Sequence, residues 1–372
     1  MKRFLAVLLS LAMVFSLAAC GGTKDLEAGG GSAASGSGAA SGGSSAAAPD
    51  ANAEYKVGVV FGPSGLGDNN FADMIYDGLC RARDELGIYF DYIEPGSDGE
   101  IITSLYEYAQ DGTYDVVMLA TSNAASSLEE VAAEYPDQNF TIIDATVDLP
   151  NVRSVAKIGA EQTFMAGVVA ALLTQEEGFD GVNKDKKIGV VVGEDFPIPM
   201  AMAAGFKAGA YWADPEVEVL VSTVGSWSDP GAAKEMSTAM IKQGVDIIQN
   251  DAGGSGTGVF AAAEETGTLA IGVGANQNSM SDRIIGTSLF ILYQYVYNEC
   301  EALVNGQWTA GVVNPGLADG SLGFVTDGAS IEVPQAILDK AEEAKAWVVS
   351  GGIELPTKVD GIEEWAAQNG LK

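Results

Sequence analysis

Histidine is absent from the 372 residues, and basic residues are scarce: 19 Lys and Arg stand against 51 Asp and Glu, a formal net charge of −32. Without imidazole the chain lacks the commonest general base and the commonest nitrogen ligand for metals. Its many Ser and Thr therefore have no usual activating partner, and no GxSxG elbow occurs. The shortage of Lys and Arg argues against nucleic acid, whose phosphates call for clustered cations. Cysteine occurs only at 20, 80 and 300, with no spacing that suits zinc or an iron–sulfur cluster. No GxxxxGK[ST] phosphate loop is present, and no cofactor is expected. The apolar run from Leu5 to Leu17 is too short for a membrane span.

That run is nonetheless built like an address. Lys2 and Arg3 precede it and Leu17-Ala18-Ala19-Cys20 closes it, the layout of an export signal over residues 1–19. An ordinary secretory signal with a coincidental Cys would share this layout. Leu-Ala-Ala-Cys, however, resembles the lipobox of bacterial lipoproteins, in which the Cys (here Cys20) becomes the acylated, palmitate-bearing first residue. Residues 20–53 are almost entirely Gly, Ser and Ala, too poor in apolar side chains to fold, and read as a flexible tether. Anchor and tether together place a globular body at the extracytoplasmic face of the cell membrane.

The body, 54–372, opens with an apolar strand (Val57 to Phe61), a turn containing Gly62, Gly65 and Gly67, and an amphipathic helix. Ala72, Ile75, Leu79, Ala82 and Leu86 share one helix face; Asp68 or an Asn can cap its start, and Gly87 stops it. Strand and helix signals then alternate twice through the chain, as in YDVVMLA, FTIIDA, KIGVVV and VDIIQ. Such βαβ series build parallel sheets. The expected fold is α/β, with two doubly wound lobes and a cleft between them. Residues 54–157 plus about 275–307 are assigned to lobe 1, and 158–274 plus about 308–372 to lobe 2. Cys80 and Cys300 fall in apolar helical segments and read as buried thiols, with a disulfide open in an exported chain.

Ligands of such sheets collect beyond the carboxyl ends of the strands, and the informative residues fall there. One side offers Asp68, Asn69, Asn70, Phe71, Ser122 and Asn123; the other offers Trp227, Asp251, Gly253, Gly254 and Asn276. One aromatic on each side, with polar groups and bare backbone around them, is the make-up of a small-molecule clamp. Each has a plainer reading: Phe71 as a staple over its own helix, Trp227 as a turn aromatic, Asp68 as a helix cap. Asp144 ends a strand and reads as a hinge hydrogen bonder before a ligand group. Gly253 to Gly258 imitates a dinucleotide fingerprint, but no ribose-binding acid follows at the expected distance. An enzyme would need its base among Asp68, Asp144, Glu194 or Asp195.

These residues resemble the basic membrane protein family of ABC-transporter substrate-binding lipoproteins, which includes bacterial purine-nucleoside receptors. GDNNFADMIYDGL, LEEVAAEYPDQNFTIIDA, FMAGVVAALLT, AGFKAGA, VGSWSDP, AGGSGTGVF and IGVGANQ carry the resemblance in order, across about residues 55 to 325. It implies a type I periplasmic-binding-protein fold that closes on a nucleoside-like ligand and delivers it to a permease driven by an ATPase. It also implies that Phe71 and Trp227 sandwich the base, that Asp68, Asn69 and Asn70 supply polar contacts, and that Gly253 and Gly254 approach the ligand. The chain departs from the family where GVDSDQ is usual: Gly274 and Asn276 stand where acids are expected. Ser126 and Ile291 likewise replace an acid and a Lys. With ribose contacts thinned and the sandwich kept, the expected ligand is a flat heteroaromatic ring: a free base, a modified or deoxy nucleoside or a vitamin-like ring, and then a standard ribonucleoside. The other readings are a sensor for a membrane signalling protein, a nucleoside-acting enzyme and an adhesion protein.

Overall fold

A computed structural model describes residues 53–371; the signal, Cys20 and nearly all of the tether lie outside the described residues. The chain runs β1 (Lys56–Phe61), α1 (Phe71–Leu86), β2 (Tyr89–Ile93), α2 (Asp98–Asp111), β3 (Val116–Ala120), α3 (Ala125–Glu134), β4 (Asn139–Ile143) and β5 (Val152–Val155). There follow α4 (Gly159–Leu173), β6 (Lys187–Val192), α5 (Pro197–Ala213), β7 (Glu218–Thr223), α6 (Pro230–Ile241), β8 (Val245–Asp251), α7 (Thr257–Thr266), β9 (Leu269–Gly274) and β10 (Ile284–Phe290). The remainder is α8 (Leu292–Val304), β11 (Gly311–Val313), β12 (Leu322–Val325), α9 (Gln335–Gly351) and α10 (Ile362–Gln368).

Two six-stranded sheets result, ordered β11-β5-β4-β3-β1-β2 and β12-β10-β9-β8-β6-β7. The first is parallel throughout; in the second only β12 runs antiparallel, against β10. The continuous apolar runs of β3 and β6 follow from burial on both sheet faces. In each sheet the strand order reverses once, between β1 and β3 and between β6 and β8. Those switch points are where a crevice opens beyond the strands.

The chain crosses between the sheets at three places: after β5, after β10, and between β11 and β12. The structure therefore departs from the expected boundaries. The segment from Arg283 to Ser288 was expected to return to the first lobe, but β10 pairs with β9 and β12 and completes the second sheet. Its sequence IIGTSLF is as apolar as any neighbour, so composition cannot say which sheet it joins. Conversely β11, expected in the second lobe, pairs with β5 at the edge of the first. Between them α8 packs on α1.

The most apolar helix, α4, is enclosed by α5, α9 and the second sheet and is buried on nearly all sides. Glycines make the contact with α5. A Cβ on Gly205 would overlap the Ala160 carbonyl, and one on Gly209 the Phe164 carbonyl. Cys80 is half-buried and Cys300 buried, and both are free. Among the described residues no helix is long and apolar enough to cross a membrane.

Candidate functional site

The turn after β1 is wound around two carboxylates. Asp68 accepts the backbone N–H groups of Asn70, Ala72 and Asp73 at 2.9, 3.0 and 3.3 Å, closing the start of α1. Asp73 accepts those of Gly67 and Asn69, each at 2.8 Å. Desolvation raises the Asp68 carboxyl above its ordinary value, and the backbone donors oppose the rise. Asp68 is thus a helix cap with its carboxylate at the cleft wall. The turn sets Phe71, first residue of α1, half-buried at the cleft.

The facing loop after β7 is held just as firmly. Ser255 donates its backbone N–H to the Trp227 carbonyl (2.9 Å) and its hydroxyl to the Ser226 carbonyl (2.8 Å). Its hydroxyl oxygen accepts from the Asp229 N–H (2.7 Å), and Asp229 caps α6. The Trp227 indole lies on Gly193 and Gly253, where a Cβ would strike or crowd the ring. The glycine run after β8, which looked like backbone for a ligand, therefore also makes room for the aromatic.

Between the switch points lies a cleft of about 950 Å³, its open mouth included. Asp68, Asn70, Phe71, Ser122, Asn123 and Trp227 line it, together with Asp251, Gly253 and Gly254. Two of the expected site residues do not. Asn69 is exposed at positive φ (51°), and its amide points back to the Gly67 carbonyl. Asn276 is exposed and ties the loop after β9 to the Asp327 carbonyl (3.1 Å) and the Asn278 N–H (3.0 Å). Both are turn formers: Asn suits left-handed backbone and local side-chain bonds, a use that sequence alone does not separate from ligand contact. Asn70 spans the lobes, its Oδ1 accepting from the Ala275 N–H at 3.1 Å.

To the expected Asp144 and Asp251, the floor of the cleft adds groups the sequence did not single out. Lys157, on the crossing after β5, forms a buried ion pair with Asp144, and its ammonium sits 5.1 Å from the Phe290 ring centroid. Asp144 takes left-handed backbone (φ 63°) beside this crossing. Gln162 of α4 donates to the Ser288 carbonyl (3.2 Å); Ser288 donates to Gln249 (3.0 Å), which donates to Asp251 Oδ1 (2.9 Å). Burial pushes the Asp251 carboxyl up to about 7, against the pull of Gln249 and Lys157. Lys157 follows the end of β5, and Gln162 lies between Glu161 and Thr163 in the polar first turn of an otherwise apolar helix, so neither stood out in the sequence. No group of His, Cys, Asp and Glu able to hold a metal occurs among the described residues.

Two doubly wound lobes that close a lined cleft between facing switch points define a solute-binding protein of the type I periplasmic fold. The chain belongs to the family of PnrA-like ABC transporter substrate-binding proteins, whose model matches residues 55–355. This is a solute-binding role, not an enzymatic one. An uncharacterised lipoprotein of Pyrococcus furiosus is 30% identical over 282 residues, covering 72% of this chain and 69% of its own. The ABC transporter nucleoside-binding protein BmpA of Lactococcus lactis is 25% identical, covering 82% of this chain and 90% of its own. Among solved structures, an ABC transporter solute-binding protein from Aeropyrum pernix superposes with a TM-score of 0.76 at 25% identity. It covers 85% of this chain and 98% of that one.

Proposed function

We propose that this protein is the lipid-anchored receptor of an ABC importer and captures a flat heteroaromatic solute, of nucleobase or nucleoside type, for delivery to the permease. The observation that carries the reading is that Phe71 and Trp227, from different lobes, line one cleft with Asp68, Asn70, Asn123 and Asp251 around them. A ring stacked between the two would draw on both lobes at once, so its binding free energy would favour closure. The nucleoside-binding relative and the relatives named lipoproteins support the ligand class and the anchor. Acylation at Cys20 would hold the body at the outer membrane face, with residues 20–53 as its tether.

The test is a thermal-shift panel of nucleosides, deoxynucleosides, bases and flavin- or thiamine-like rings on the full exported protein in detergent. A ligand at a hundred times its Kd adds about 2.7 kcal/mol to stability. A shift with one ring class that is lost in Trp227→Ala is the expected result; no shift with any ring rejects the aromatic clamp. Labelling with radioactive palmitate, lost in Cys20→Ser, checks the anchor.

A further inference from the structure

Among the described residues, four buried side-chain oxygens or nitrogens lack a hydrogen-bond partner: Asp91 Oδ1, Asp144 Oδ1, Gln162 Oε1 and Asp251 Oδ2. Three of the four belong to residues that line the cleft. Asp144, Gln162 and Asp251 are 9%, 2% and 3% exposed, so water reaches them poorly. An unmet buried acceptor is costly, which makes all three demands on whatever enters. All three are oxygen acceptors. The remaining partners of their side chains are already fixed: Asp144 Oδ2 on Lys157, the Gln162 amide on Ser288, and Asp251 Oδ1 on Gln249.

Charge points the same way. Lys157 is the one Lys or Arg lining the cleft among the described residues, and it is held by Asp144. Asp251 and Asp68 are left without a basic side chain bonded to them. A neutral ring that turned carbonyl oxygens to this floor would set acceptor against acceptor. A cation bearing N–H groups would satisfy the oxygens, neutralise a buried carboxylate and gain from the faces of Phe71 and Trp227.

We propose that the edge of the ligand facing the hinge is a cationic, amidine-type edge, with two N–H donors side by side received by the Asp251 carboxylate and assisted by Gln162 and Asp144. This rests on the heteroaromatic-receptor reading and narrows it to amino-substituted, protonatable rings. Asp251 must be ionised to serve. The groups that bear on it are Gln249 on its own strand, Ser288 and Gln162 through Gln249, and Lys157 on the hinge crossing; Asp144 and Asp68 are the other carboxylates lining the cleft. Burial holds its carboxyl up to about 7, so affinity for a cationic probe rises with pH through that value for as long as the probe stays protonated.

The experiment is calorimetric titration of the full exported protein in detergent with 2,4-diaminopyrimidine and with uracil, which carries oxo groups where the first has amino groups. The expected result is a preference of about tenfold or more for the diamino ring, because a site built for donors rejects the analogue lacking them. Asp251→Asn should abolish the preference, with near-ultraviolet circular dichroism unchanged. Gln162→Met, which leaves every charge in place, should weaken the diamino ring several-fold and leave uracil unaffected. Equal or tighter binding of uracil, or a preference that survives both substitutions, overturns the proposal. Binding of neutral oxo rings such as hypoxanthine without the diamino ring overturns it too, while leaving the receptor reading intact. If no ring in the panel binds, the receptor reading falls and this inference falls with it.

Discussion

Asp251 shows how one residue can set the conditions under which the empty protein is stable. Its carboxyl is held up to about 7 by burial, whereas the ordinary value is 3.8. The folded state therefore binds this proton more tightly than the unfolded chain does. The associated stability is complete below the ordinary value and is lost as pH rises from there through about 7. Each unit of difference corresponds to about 1.4 kcal/mol. Asp246 at the start of β8, pushed up to about 6 by burial, acts in the same direction, so Asp251→Asn removes only part of the slope. Urea unfolding of the ligand-free protein at about pH 5 and about pH 8 checks this: the loss of stability between them should shrink in Asp251→Asn. An unchanged difference would place the titration elsewhere. Asn70 makes a second residue-scale case. Removing its bond to the Ala275 N–H in Asn70→Ala should cost about 1 kcal/mol and loosen the contact between lobes, read as an earlier urea midpoint.

At the scale of elements, what could be read from the sequence depended on whether the deciding contact is local. The opening turn was legible because its strand, glycines, Asp68 and helix periodicity all lie within Lys56 to Gly87. Phe71 and Trp227 could be paired because each follows a strand in a repeating βα pattern. The sheet membership of β10 and β11 was not legible, since edge strands of similar composition can complete either sheet. Nor was Lys157, the partner of the Asp144 that reads as a hinge hydrogen bonder, because their pairing is made only by the crossing after β5. The small residues of α4 let α5 pack closely against it. Gly205 and Gly209 of α5 sit on backbone carbonyls of α4, so a methyl group there has no flexible side chain to displace. Gly205→Ala should destabilise the protein by about 1–3 kcal/mol through overpacking. Gly99, with open space around it, should tolerate the same change. Denaturant midpoints of the two variants separate packing from the general effect of replacing glycine.

For the whole molecule the question is what opposes closure. The lobes touch through Asn70 with Ala275 (3.1 Å) and through Asn123 with Glu194 (3.5 Å). Beside that second contact, Asp98 at the start of α2 raises the Glu194 carboxyl, after desolvation as the larger cause. Like charges on opposite walls, in a chain of net charge −32, work against bringing the lobes together. Bringing Glu194 nearer to Asp98 would raise its value further, so a closed form should take up the proton more readily and closing should become easier as pH falls through the carboxylate range. Screening by salt should act in the same direction, because Asp98 is exposed and Glu194 only half-buried. Glu194→Gln keeps an acceptor for the Asn123 amide while deleting the charge. It should shift the empty protein toward the closed form, giving a smaller radius of gyration by X-ray scattering and a several-fold tighter Kd for any ligand that binds between the lobes. A ligand that works by closure should then produce a smaller further contraction in this variant than in the natural protein, because part of the conformational cost has been removed in advance. Equal contraction and equal affinity in both would mean that the Asp98–Glu194 repulsion does not govern the opening.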